Sequence, residues 1–118
     1  MVRLIKGIFI PIKGEPESLM FDDDDLYSYP RVYDKVVGGK HEICEIDDYT
    51  VVIRRKDQRN IKYNCSVMGQ PQYGNIIVFG RDCGRLSDMP LSYDMLVSLG
   101  AISRGEEAWT GGITNDSD

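Results

Sequence analysis

The chain has 118 residues, which is the size of one ordinary domain. Its formal net charge at pH 7 is −5, from 14 basic and 19 acidic residues, so its overall field repels phosphate backbones and argues against nucleic acid as a direct partner. No stretch approaches the ~18 apolar residues of a membrane span, and no signal peptide is recognisable. We therefore expect a cytoplasmic protein with one domain over residues 1–102 and a polar, flexible tail over residues 103–118.

Alternating apolar residues predict an N-terminal hairpin. Residues of one parity form one face of a first strand: Leu4, Ile8, Ile10 and Ile12. Phe9 lies on the opposite face of that strand. After a turn at residues 14–16, Leu19 and Phe21 alternate with polar or softer neighbours, which predicts a second strand.

A helix and a second hairpin follow. Four residues recur at helical spacing: Tyr29, Val32, Tyr33 and Val36. They predict a helix that ends at the glycines of residues 38–39. Residues 40–46 and 49–55 then predict two strands, joined by a turn at Asp47 and Asp48, whose side chains tolerate the left-handed backbone of such turns.

The most apolar segment, residues 76–79, predicts a strand that is covered on both faces. Before it, residues 61–68 predict a short strand and residues 69–73 a loop. Four apolar residues then predict a helix capped by Ser87 or Ser92: Leu91, Met95, Leu96 and Leu99. This order predicts an α+β fold, a single domain with an antiparallel or mixed sheet of about five to six strands and two helices packed on one side.

Asp22, Asp23, Asp24 and Asp25 form the densest charge in the chain. Four adjacent carboxylates repel one another and must stay hydrated, which predicts a surface loop. A calcium loop alternates its ligands with spacers and a glycine, and this run does not. A solvated loop is the first interpretation, with weak cation binding or contact with a basic partner as alternatives.

The three cysteines, Cys44, Cys65 and Cys83, form no C-x-x-C pair, and His41 is the only histidine. A structural zinc site needs about four such ligands, so we expect no metal site and no cofactor. The thiols are interpreted as reduced and mostly buried. A catalytic histidine needs a nucleophile within hydrogen-bond reach, and none is adjacent in sequence, so we expect a structural or surface role for His41 and no enzyme.

Three arginines offer an alternative, small-ligand interpretation. Arg54 and Arg55 lie where a strand meets a loop, and Arg81 lies in residues 80–84, which have a glycine at each end. Such a turn can expose amides to a phosphate, but the lysine and hydroxyl residue of a P-loop are missing. A solvated turn is the first interpretation for the arginine cluster.

Aromatic residues complete the candidate partner-binding set. Trp109 stands in the polar tail, where it either folds back onto the core or projects as a binding anchor. Tyr27 follows the acidic run. The candidate set is therefore Asp22, Asp23, Asp24, Asp25, Tyr27 and Trp109.

Over about residues 3–99 the chain resembles the family called domain of unknown function 3846, which is found in bacteriophages, plasmids and other mobile elements. The resemblance rests on the order of several features: the opening RLIKGIFIPI, a helix ending in VVGG before a strand with Glu42, Asn64 after the next hairpin, and GNIIVFG before Leu-Ser-Asp at residues 86–88.

Three features depart from that family's pattern: the aspartate run, His41 in place of an apolar residue, and the extension beyond Gly100. The family has no established catalytic residues. What the resemblance implies is a small phage or mobile-element accessory protein.

We consequently expect a non-enzymatic protein that binds a bacterial host protein stoichiometrically, in counter-defence or host takeover. The alternative is a small-ligand binder that sequesters a nucleotide signal. A homo-oligomer is possible under either hypothesis.

Overall fold

The computed structural model describes residues 4–22 and 31–104. Within these ranges the chain is α+β, with mainly antiparallel strands and two short helices. The strands and helices occur in this order: β1 (Leu4–Ile10), β2 (Glu17–Asp22), α1 (Arg31–Val37), β3 (His41–Glu45), β4 (Thr50–Arg55), β5 (Tyr63–Val67), β6 (Gln70–Tyr73), β7 (Ile76–Asp82), β8 (Arg85–Ser87), α2 (Tyr93–Ser98) and β9 (Ile102–Ser103).

The strands form two antiparallel sheets. The large sheet has the order β2-β1-β7-β4-β3, and β8 pairs with β7. The small sheet has the order β6-β5-β9. β1 and β8 both pair with β7, and the amide of Met89 donates to the carbonyl of Lys6 where they meet.

β7 is buried on both faces, as the sequence predicted, because its residues alternate between two separate cores. Ile76 and Val78 belong to the α2-side core, which consists of Ile8, Ile10, Val52, Cys65, Val67, Ile76, Val78, Met89, Leu96 and Ile102. Ile77 and Phe79 belong to the α1-side core, which consists of Ile5, Phe21, Tyr33, Val37, Val51, Ile53, Ile77, Phe79, Leu86 and their neighbours. The large sheet is therefore the middle layer of the fold.

The packing of both helices on one side of the sheet is not confirmed. Tyr33 and Val37 of α1 belong to one core, whereas Leu96 of α2 belongs to the other. Val32, which was predicted to lie on the buried face of α1, is exposed. α2 buries only Leu96, while Met95 and Leu99 are 51% and 69% exposed, so its predicted apolar face is mostly outside the core.

The predicted loop at residues 69–73 is wrong, because residues 70–73 form β6 and pair with β5. Met68 and Gly69 both have positive φ and make the tight turn between the two strands. One sheet of about five to six strands was predicted, whereas the described residues form a sheet of six strands and a second sheet of three. Ser103, which was assigned to the tail, pairs with Ser66 through β9.

Candidate functional site

Aspartates from three separate segments lie at the same end of the large sheet. Asp22 ends β2 opposite Leu4, and Asp82 ends β7. Asp47 and Asp48 lie in the turn between β3 and β4, beside the same end of β7, because Thr50 pairs with Gly80. We call this surface the acidic end and define it by Asp22, Asp47, Asp48 and Asp82.

The turn between β3 and β4 is held in place by its own side chains and by Arg81. The carboxylate of Asp47 accepts a hydrogen bond from the amide of Tyr49 at 2.8 Å. Arg81 Nη1 donates to the carbonyl of Asp47 at 3.3 Å, and Arg81 Nη2 lies 3.2 Å from a carboxylate oxygen of Glu45. Asp48 is exposed, and Tyr49 is 77% exposed. The turn therefore presents a negative charge and an aromatic ring side by side.

A hollow of about 420 Å³ lies at the β7–β8 hairpin and is lined by Asp82, Cys83, Arg85 and Leu86. Cys83 and Gly84 both have positive φ, which makes the two-residue turn of the β7–β8 hairpin. Cys83 is exposed there, so the interpretation of all three thiols as mostly buried is wrong for this one.

Asp22 is the only member of the predicted partner-binding set within the described residues, and it lies at the acidic end. Asp23, Asp24, Asp25, Tyr27 and Trp109 lie outside the described residues. Sequence reasoning treated Asp47 and Asp48 only as turn residues. Their contribution to the acidic end depends on strand order, which no local pattern reveals.

The structure does not bring the three arginines of the alternative hypothesis together. Arg54 and Arg55 are neighbours in β4, so their side chains leave opposite faces of the sheet. Arg81 is beside Tyr49, which directly precedes β4 and lies five residues before Arg54, or about 17 Å along a strand. One phosphate group cannot contact all three side chains in this arrangement.

Residues 80–84 form the end of β7 and a hairpin turn rather than an open loop. Gly80 is required by close packing, since a Cβ atom there would lie 2.3 Å from the carbonyl oxygen of Asp88. The amide of Arg81 donates to the carbonyl of Tyr49 at 3.0 Å. The amides that a phosphate would need are therefore partly used by the sheet itself.

Arg54 belongs to a partly buried polar network on the α2 side of the sheet. Its Nε lies 2.8 Å from a carboxylate oxygen of Glu42, and its Nη1 donates to Gln72 Oε1 at 3.2 Å. Gln72 is fully buried, and its Nε2 has no hydrogen-bond partner within the described part of the chain. The network connects the large sheet to β6 and was not predicted, because Gln72 was placed in a loop.

His41 is a buried, hydrogen-bonded residue at the start of β3. Its side chain is 5% exposed, its Nδ1 lies 2.6 Å from Asp34 Oδ1, and its ring packs against the edge of the Tyr33 ring. The hydrogen bond from His41 lowers the pKa of the Asp34 carboxyl below its ordinary value, against the opposing effect of desolvation. The pair connects α1 to the start of β3.

In residues 4–22 and 31–104, no group of three or more histidine, cysteine, aspartate or glutamate side chains is arranged so that it could hold a metal ion. Burial raises the pKa of the Cys65 thiol to about 11, which makes it a poor nucleophile at neutral pH. In the same part of the chain, no helix has the length and apolarity that a membrane crossing requires.

Comparison of the chain with protein-family models, with curated proteins and with solved structures finds no significant match. The resemblance to domain of unknown function 3846 therefore stays a prediction.

Proposed function

We propose that the chain is a small, non-enzymatic accessory protein of a phage or mobile element, which acts in the cytoplasm of a bacterial host by binding a host protein stoichiometrically. Counter-defence and host takeover are the roles that such binding serves. The observation that carries the proposal is the acidic end, where aspartates of three segments lie at the same end of the large sheet and the ring of Tyr49 is exposed next to Asp48. The family resemblance supplies the setting.

The acidic end suits a basic patch on a partner. Clustered surface charges increase the rate of encounter with an oppositely charged protein, and they do so most strongly at low salt. Tyrosine is enriched among the residues that dominate binding energies, since it offers a large contact area with few rotatable bonds. We infer that the carboxylates set the association rate and that Tyr49 sets the dissociation rate.

The nucleotide alternative has weaker support. Arg54 and Arg81 each contact a carboxylate, and Arg54, Arg55 and Arg81 point to different places. A phosphate would have to displace Glu42 or Glu45 from its arginine, and it would then meet that carboxylate as a like charge.

The proposal is tested by identifying a partner in a pull-down from the bacterial host and measuring its binding by surface plasmon resonance at low and high salt. The variant is Asp47→Asn with Asp48→Asn, because asparagine keeps the acceptor for the Tyr49 amide while the charge is lost. We expect slower association and a flatter salt dependence. The matched control is Glu15→Gln with Glu17→Gln, which removes the same charge at the opposite end of the sheet.

Tyr49→Ala should weaken binding by ~2 kcal/mol, mainly through faster dissociation. Its free energy of unfolding should change by no more than about 0.5 kcal/mol because the ring is exposed. Wild-type rates and salt slope in the double Asn variant would remove the acidic end from the mechanism. A nucleotide-induced thermal shift that is lost in Arg81→Ala would support the alternative.

A further inference from the structure

β3 is the outermost strand of the large sheet at one side, and among the described residues no strand pairs with its outer edge. Proteins protect such edges with proline, lysine, bulges or very short strands. The small sheet follows this practice, since β6 contains Pro71 and β9 has two residues. β3 has neither proline nor lysine, its charged residues are Glu42 and Glu45, and its register with β4 is unbroken over its five residues.

The hydrogen bonds at the two ends of the β3–β4 hairpin show which backbone groups point outward. The amide of Ile46 donates to the carbonyl of Thr50, and the amide of Lys56 donates to the carbonyl of Lys40. Because bonded and non-bonded pairs alternate in an antiparallel ladder, the even-numbered residues of β3 bond to β4. The odd-numbered residues, His41, Ile43 and Glu45, direct their amides and carbonyls to the outer edge.

One of these three outward positions is already closed. The amide of His41 donates to the carboxylate of Asp34 at 2.9 Å. Ile43 and Glu45 are left as the positions where another strand can form hydrogen bonds. A shallow groove of about 610 Å³ follows this edge, lined by Glu42, Ile43, Cys44, Glu45 and Arg54, and Ile43 is 54% exposed beside it.

We propose that the edge binds a second copy of the same chain, with the two β3 strands antiparallel about a twofold axis at Cys44. In this register Ile43 of each copy pairs with Glu45 of the other, so every open backbone group of the two residues is used. Centring the pair on Ile43 would place Glu45 opposite the closed amide of His41. Centring it on Glu45 would place two carboxylates opposite each other.

Charge along the strand supports a self-complementary pairing. Lys40 and Lys56 are exposed at the start of β3, whereas Asp47 and Asp48 are exposed beyond its end. An antiparallel copy brings the basic start of one strand beside the acidic end of the other, and the same contact is repeated by the twofold axis. The two-residue ladder buries little surface, so the dimer is weak and its population depends on concentration.

The register has a chemical signature. In this register the two Cys44 residues lie directly opposite each other as a non-hydrogen-bonded pair, with both side chains on the same face of the sheet. The Cα atoms of such a pair are ~4.5 Å apart, which is a distance that a disulfide can span. Diamide, a thiol oxidant, accepts the two protons and two electrons released as the two sulfur atoms join. The experiment uses the full chain with Cys83→Ser, which removes the exposed thiol, while Cys65 is buried.

Sedimentation equilibrium should show a mass that rises with concentration from 13.4 kDa towards twice that value. Diamide should give a covalent dimer through Cys44, and Cys44→Ser should abolish it. Ile43→Pro should abolish association with little loss of thermal stability, since the lost amide points away from β4. Lys40→Glu should weaken association, and adding Asp48→Lys should restore it.

A wild-type chain that stays at 13.4 kDa at every concentration would overturn the proposal. A dimer that gives no Cys44 cross-link, or that persists in Ile43→Pro, would equally overturn it, because that dimer would use a different surface. The inference does not rest on the proposed function, but both use Asp47 and Asp48, so a dimer formed in this way would compete with a host partner for these two carboxylates.

Discussion

Asp34 Oδ1 accepts hydrogen bonds from both the backbone amide and the ring Nδ1 of His41, at 2.9 and 2.6 Å. The carbonyl of Asp34 also accepts from the amides of Gly38 and Gly39, at 2.9 Å each. One residue thus ends α1, closes the first outward amide of β3 and fixes the orientation of the histidine ring.

The Asp34 contact predicts a pH-dependent loss of stability. Because the pKa of the folded carboxyl is below the ordinary value of 3.8, its contribution is present above about pH 4 and is lost as pH falls through the folded pKa. Asp34→Asn should therefore be less stable than wild type at pH 7, with a smaller difference at pH 3. Urea unfolding at both pH values tests this, and an equal difference at both would contradict it.

We expect a steric coupling between β1 and β7 where Gly7 packs against the ring of Phe79. A Cβ atom at Gly7 would lie 2.6 Å from Phe79 Cε1, so Gly7→Ala should reduce the free energy of unfolding by ~1–3 kcal/mol through overpacking. Phe79→Ala should cost ~3 kcal/mol or more because the ring is fully buried.

The double variant of Gly7 and Phe79 should be more stable than the sum of the two single effects implies, since the cavity accepts the added methyl group. Denaturant unfolding of the four proteins measures this coupling. Strict additivity would show that the two residues do not compete for the same space.

We expect a second coupling, between the effects of Arg54 and Gln72 substitutions on the free energy of unfolding. Arg54→Met leaves Gln72 Oε1 without its donor in a fully buried position, which should cost ~1–3 kcal/mol. Adding Gln72→Leu removes the buried amide and should recover part of this loss. Arg59→Met is the control, because Arg59 forms a pair with Asp57 while its side chain is 85% exposed. A loss of similar size in the control would remove burial as the explanation.

The thiols should react in the order Cys83, Cys44 and Cys65. Cys83 is exposed, Cys44 is partly buried, and Cys65 is buried with its pKa raised to about 11. Iodoacetamide labelling at pH 8, followed by mass spectrometry, should modify Cys65 only on unfolding. Replacing all three cysteines with Ala or Ser should keep the fold and release no metal. Early labelling of Cys65, or stoichiometric zinc in the purified wild-type protein, would contradict this interpretation.

Strands with a strong apolar pattern were predictable from sequence. β1, the β3–β4 hairpin and β7 have such patterns. Ser92, which was one of the two residues proposed as the N-terminal cap of α2, does cap that helix. β6, β8 and β9 have none, because each is short and is held by pairing with a neighbour. Their turns were also concealed, since Met68 and Cys83 adopt positive φ where asparagine or glycine is the usual signal.

The candidate site was predictable only in part for a related reason. Asp22 was visible as the first residue of the aspartate run, but its place at the same end of the sheet as Asp47, Asp48 and Asp82 follows from strand order. The separation of Arg54, Arg55 and Arg81 follows from strand parity and register, which the sequence alone did not determine.

The central place of β7 also determines when the large sheet can form during synthesis. β1 and β2 are a local hairpin, and so are β3 and β4, but the two hairpins share no paired strand until residues 76–82 join them. A nascent chain that ends before β7 consequently has two hairpins with no strand between them, and isolated hairpins are marginal in water. Because β1 pairs with a strand almost seventy residues away, folding should be a late event in the millisecond-to-second range that is typical of non-local sheets.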